Sequence, residues 1–215
     1  MKRWFALLAA VCILAGCEPS GKGQVPIIRN GDTYARVLNE AETLNRDILE
    51  RYDRDDELTK EDLEALEESK LKLLGLIGFK PDAFPLHFAH AKVEQGLGNH
   101  ASALDSFRQC IALSPADPTD PAIRATVAEA HGQMARSQIF LNAYSDAAES
   151  AKLAIEFGPD NPDYRYYLAS AANELGDPKT ALDLLGEALE LVPDHARSLR
   201  LKRLIESSQN EEPRP

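Results

Sequence analysis

Four prolines, Pro81, Pro115, Pro159 and Pro193, stand 34, 44 and 34 residues apart, and an aspartate follows each within two positions. The text around them recurs as well: FKPD, LSPAD, FGPDN and LVPDH each close a run of helix-forming residues. A period of this length means one supersecondary unit copied about four times, and a unit that cannot bury its apolar face alone must stack on its neighbours.

Helical spacing supplies the elements. Tyr34, Val37, Leu38, Ala41, Leu44, Ile48 and Tyr52 follow one helical face, and a second helix begins near Thr59 with Leu63, Leu66, Leu73 and Ile77. Residues 32–81 are thus predicted to form a helical hairpin. Three shorter pairs follow, at 83–97 with 100–113, 121–141 with 144–157, and 163–175 with 178–191. Asp120-Pro121, Asn161-Pro162 and Asp177-Pro178 each put a capping side chain before a proline, whose missing N–H is harmless in the first helical turn. Gly98 and Gly176 fall where the first helix of a pair reverses, a position that favours positive φ. A last helix, 195–207, carries Arg197, Arg200, Lys202 and Arg203, and the polar tail 208–215 has nothing to bury.

With each closing proline counted as position 32 of a 34-residue unit, the last repeat places Leu168, Ala169, Gly176, Ala181, Leu185 and Ala188 at positions 7, 8, 15, 20, 24 and 27. This pattern resembles the tetratricopeptide repeat. The same frame gives Ala91, Gly98, Ala103, Phe107 and Cys110 in the first clear unit, and Ala135, Ala147, Ala151 and Ala154 in the middle one. Small residues at these places let neighbouring helices approach closely. The middle unit departs twice: Asn142 replaces the turn glycine, and ten extra residues lengthen its first helix by about two turns. The resemblance implies an all-α, TPR-like α-solenoid of antiparallel helix pairs. Residues 82–194 hold three repeats, 32–81 a degenerate repeat or cap, and 195–207 a capping helix.

Lys2 and Arg3 precede an apolar run from Trp4 to Gly16 that is too short to span a bilayer and suits a signal peptide over residues 1–16. The run ends at Leu14-Ala15-Gly16-Cys17, which resembles the bacterial lipobox. That likeness implies cleavage before Cys17 and acylation of its thiol, an anchor strengthened by about 0.8 kcal/mol per buried CH₂. Glu18 stands where an aspartate would favour the inner membrane of a Gram-negative cell, so an outer-membrane lipoprotein facing the periplasm is expected, with a Gram-positive surface lipoprotein as the alternative. Residues 17–31, rich in glycine, proline and polar groups, read as a flexible tether.

Loss of Lys2 and Arg3 leaves 22 basic side chains against 35 acidic, a formal charge of −13. So acidic a chain is unsuited to nucleic acid, and a neutral or basic protein partner is expected. Cys12 would be discarded and Cys17 acylated, so Cys110 has no intramolecular disulfide partner and reads as core. Stability must come from helix packing.

Catalytic chemistry is sparse: no nucleophile elbow, phosphate loop or paired Cys-x-x-Cys is present, and neither an enzyme nor a cofactor is expected. His87, His90 and Glu94 share one helical face, but an isolated HxxH lacks the further ligands of a metal site. Asp53 to Glu64, in YDRDDELTKEDLEAL, resembles an EF-hand calcium loop without its central glycine; a calcium-responsive envelope protein is the alternative reading, against a hairpin loop with Thr59 as helix cap.

Tetratricopeptide stacks bind peptides or protein surfaces along the concave face of their first helices, and the resemblance carries this to matching positions. The implied partner groove holds Phe88, Lys92 and Gln95; Glu129, Arg136, Ile139 and Phe140; and Tyr166 and Asn173, with Asp163 and Glu174 beside them. The basic and amide pattern that grips a chaperone's terminal carboxylates is absent from these positions. The expected function is a membrane-anchored scaffold for a protein or peptide ligand in an envelope assembly.

Overall fold

The computed structural model describes residues 57–116 and 118–210, together with single positions between 35 and 51, all of which are helical. The expected signal peptide 1–16, Cys17, the tether 17–31 and Asp53 to Asp56 lie outside the described residues. Every described element is a helix: α1 (Lys60–Phe79), α2 (Phe84–Gly96), α3 (His100–Leu113), α4 (Pro121–Phe140), α5 (Tyr144–Phe157), α6 (Pro162–Glu174), α7 (Pro178–Leu191) and α8 (Ala196–Asn210). None of them is long and apolar enough to cross a membrane.

The helix starts follow from their caps. Thr59 accepts from the Asp62 amide while the Asp62 carboxylate accepts from the Thr59 amide, a reciprocal capping box. Asp120 accepts from the amides of Ala122 and Ile123, Asn161 from Asp163, and Asp177 from Thr180, each just before a proline. The reversals inside the pairs are equally regular. Gly98 (φ 76°) and Gly176 (φ 84°) adopt the left-handed conformation, and Asn142 (φ 58°) takes it at the equivalent place in the middle unit. At all three, the next residue's amide reaches back to a carbonyl five residues earlier: Asn99 to Glu94, Ala143 to Gln138, and Asp177 to Ala172. This bond and its partner close a Schellman motif and satisfy carbonyls that the ending helix leaves open.

Packing proceeds one unit at a time. The pairs α2 with α3, α4 with α5, and α6 with α7 form the main contacts, while α2, α4, α6 and α8 also touch in succession to form one continuous layer. The cores follow the same order: Ile48, Leu66, Leu73 and Leu86 in the first, Ala103, Phe107 and Cys110 in the next, Ala135, Ala151 and Tyr164 in the third, and Ala181, Leu185 and Ile205 in the last. All the small repeat residues, Ala91, Ala103, Cys110, Ala135, Ala147, Ala151, Ala154, Ala169, Ala181 and Ala188, are fully buried. Burial pushes the Cys110 thiol up to about 12.

Two bounds differ from expectation. Helix α8 runs to Asn210, beyond residue 207, because Leu204, Ile205 and the polar residues after them continue helical geometry, with Ser207 and Ser208 hydroxyls bonded back to the Leu204 and Ile205 carbonyls. The ten-residue excess of the middle unit is also divided. Helix α4 has 20 residues against 13 in α2 and α6, so seven lie in the helix and the rest lengthen the preceding connection. The added turns are anchored. Arg124 donates to the carbonyls of Phe157 and Glu156 at 3.1 and 2.9 Å, and its guanidinium lies 5.3 Å from the Phe157 ring centre.

Candidate functional site

The layer of first helices holds a groove of ≈ 850 Å³. Helix α4 contributes Arg136, Ile139 and Phe140, helix α6 contributes Tyr166, Tyr167 and Ser170, and α8 contributes Arg197. The α2 reversal adds Leu97 and Gly98, and Glu57, Leu58 and Leu63 line it from the segment before α2. A concave site with apolar walls and a few placed polar groups is the form that ligand sites take.

The walls are held by one another. Tyr166 meets Tyr167 edge-on at 5.5 Å and His195 at 6.3 Å. Arg197 donates to Asp163 at 3.1 Å and to the Tyr167 hydroxyl at 3.2 Å, which fixes both across the junction of α6 and α8. Burial alone would raise the Asp163 carboxyl, but its hydrogen bond from His195 and the Arg197 charge outweigh it and hold the group below its ordinary value. Phe140 stays 52% exposed although His100 stacks on it with ring centres 4.3 Å apart. Burial lowers the His100 pKa, and the charge of Arg136 lowers it further. Arg136 is itself buried, so its charge acts through a poorly screened medium. Two arginines and two tyrosines thus stand in the lining of one cleft, with Arg136 and Tyr167 buried and Arg197 paired to Asp163.

Of the nine residues expected in a partner groove, Arg136, Ile139, Phe140 and Tyr166 line this cleft. Phe88, Lys92 and Glu129 instead make a strut between α2 and α4: Lys92 pairs with Glu129 at 2.8 Å, lies 5.5 Å over the Phe88 ring, and Phe88 packs edge-on to Phe107 at 5.9 Å. Gln95 is 1% exposed, and its amide donates to the Gln133 carbonyl and the Ser137 hydroxyl, so it joins α2 to α4 rather than facing outward. Asn173 is half-buried beside the α6 reversal, where its carbonyl accepts from the Gly176 amide. Tyr167, Ser170 and Arg197 were missed by the repeat frame. The run Tyr166-Tyr167 and the basic first turn of the last helix were the available signals.

Chemistry elsewhere is engaged in structure. Ser198, His195 and Asp163 form a relay, with His195 Nδ1 2.7 Å from the Ser198 hydroxyl and Nε2 3.2 Å from the carboxylate. Ser198 has no exposed surface, so the relay ties the start of α8 to α6 and offers no oxygen to a substrate. His87 turns back to the Pro81 carbonyl at 2.8 Å, whereas His90 meets Ser106 at 2.9 Å and Glu94 pairs with Lys70 at 3.2 Å. The two histidines therefore do not converge, and no described group of three metal-ligating side chains does. In the calcium-like segment, Asp62 is committed to Arg51 and to the Thr59 cap, which hold its carboxyl down to about 2. Glu64 pairs with Lys60 at 3.6 Å.

Residues 84–117 match the model of the Tetratricopeptide repeat. Solved structures share the architecture over most of their length. A crystal structure of MamA is similar with a TM-score of 0.59 and 15% identity, over 71% of this chain and 86% of that one. MamA 41-end from Desulfovibrio magneticus RS-1 gives 0.61 and 12% identity, over 80% and 85%. Comparison with curated proteins finds no match. The chain thus has the fold of a tetratricopeptide-type solenoid, with α1 packed before its repeats and α8 after them.

Proposed function

We propose that this chain is a membrane-anchored scaffold that holds a protein or peptide ligand in the groove between α4, α6 and α8, as part of a bacterial envelope assembly. The groove carries the reading, because it joins exposed Phe140 to Ile139 and Tyr166 along the concave layer of first helices. An extended peptide with apolar side chains suits such walls, because the rings supply contact area along the groove. Support for the anchor is confined to the sequence, in Lys2, Arg3, the apolar run and Leu14-Ala15-Gly16-Cys17.

Photo-crosslinking from position 140 in intact cells, followed by mass spectrometry, tests the groove. A discrete adduct that disappears with Tyr166→Ala supports it; the same adducts at undiminished yield from Tyr166→Ala would reject it. The anchor is tested separately by Cys17→Ser, which moves the protein from the membrane to the soluble fraction if the thiol carries lipid. Membrane retention of Cys17→Ser would remove the lipid anchor and leave the groove reading intact.

A further inference from the structure

The groove presents mainly apolar surface. Leu63 and Phe140 are 40% and 52% exposed, Leu58, Ile139 and Tyr166 add to them, and of the two arginines Arg136 is buried and Arg197 is paired to Asp163. An occupant whose central part carries no charge therefore suits it. The sequence holds one such stretch. Between Glu18 and Thr33 the only large aliphatic side chains are Val25, Ile27 and Ile28, in Gln24-Val25-Pro26-Ile27-Ile28-Arg29. A spacer needs no such run, and Pro26 favours the extended backbone that a groove-bound peptide adopts.

Geometry brings this stretch within reach. Arg51 donates to Asp62 at 2.8 Å, which sets the helical positions ending at 51 against the start of α1, beside Leu58 and Leu63 of the groove. Leu38 packs on the same core as Leu58 and Leu97, both of them groove residues. Helical rise from 51 back to 35 covers about 24 Å. The ten residues 25–34 extend over about 33 Å, long enough to return along the concave layer to the cleft. We propose that Gln24 to Arg29 of this chain occupies its own groove, so that an external ligand binds only by displacing it; the inference rests on the groove's being a ligand site. Tethering holds the segment at a local concentration of about a millimolar, so it excludes a free peptide of equal fit until that peptide is similarly concentrated. Arg29, beside the apolar run, brings a cation toward exposed Glu57 in the lining.

Two measurements on the purified full chain in mild detergent test this. With a benzophenone side chain in place of Phe140, irradiation is expected to join position 140 to the stretch Val25 to Ile28 within one chain. Ile27→Ser with Ile28→Ser removes this adduct, and circular dichroism shows an unchanged helix content. A fluorescent peptide of sequence QVPIIRN is expected to bind the Ile27→Ser, Ile28→Ser chain about tenfold more tightly than the unaltered chain, the ratio of a millimolar local concentration to a Kd of about 0.1 mM. Equal affinity for the two chains, or binding to neither, overturns the proposal. So does an adduct that forms only between isotopically light and heavy chains in a mixture, which makes a second copy the occupant. Either result leaves the groove reading standing while adducts captured in cells still depend on Tyr166; without that dependence the groove reading falls as well.

Discussion

Gly132 sits where α4 meets α6 with no space for a methyl group: a Cβ there would lie 2.4 Å from Cε1 of Tyr164, whose ring is part of the third core. Gly132→Ala is expected to lower stability by about 1–3 kcal/mol, and Tyr164→Leu in the same chain to recover part of the loss; urea unfolding measures both. Histidines set a second limit at this scale. Burial lowers the pKa of His90, His100 and His131 below 6.5, so the folded chain keeps them neutral where the unfolded chain protonates them. The unfolded state then binds more protons, and stability falls as pH drops below about 6.5, with the loss continuing until the folded-state values are reached. Urea midpoints should decline between pH of about 7.5 and 5.5, less steeply in His131→Gln. Individual residues were unevenly legible in the sequence. The alanines were, because periodic small residues have few uses other than close packing. The facing of Gln95 was not, because whether a position on the first helix points into the cleft or onto the next helix depends on how the helices cross.

Each element depends on what holds its ends. Arg124 closes the C-terminus of α5 from the added turns of α4, so Arg124→Ala leaves the Phe157 and Glu156 carbonyls without that donor and removes a cation from the Phe157 ring. A loss of about 1–2 kcal/mol is expected in urea unfolding, with Arg124→Lys recovering only part of it because an ammonium lacks the planar fork. Capping residues and reversals were readable because their chemistry is local: Asp120, Asn161 and Asp177 stand before prolines, and Asn142 tolerates positive φ better than other side chains. The helix pairs were therefore placed closely from sequence alone. The far end of α8 was not, since the polar residues after Leu204 give no stop signal and the helix continues to Asn210.

For the whole molecule, stability is distributed along a line because each unit touches only its neighbours. Helix α4 packs against α2, α3, α5 and α6, whereas α8 rests on α6 and α7 alone. Amide hydrogen exchange should be slowest in α4 and markedly faster in α8, and uniform protection across the stack would contradict this ordering. The architecture was legible because the proline ladder repeats; the cleft was only partly so because five helices distant in sequence build it.

The seven-residue excess of α4 over α2 and α6 sets a rule for how such a stack can grow. The added turns stand at the start of α4, after a connection that is itself longer, so they leave every later side chain aimed as before: a helix extended at its free end keeps its phase whatever the added length. Growth at such a start is limited only by whether the new turns find contacts, and here Arg124 supplies them at the α5 C-terminus.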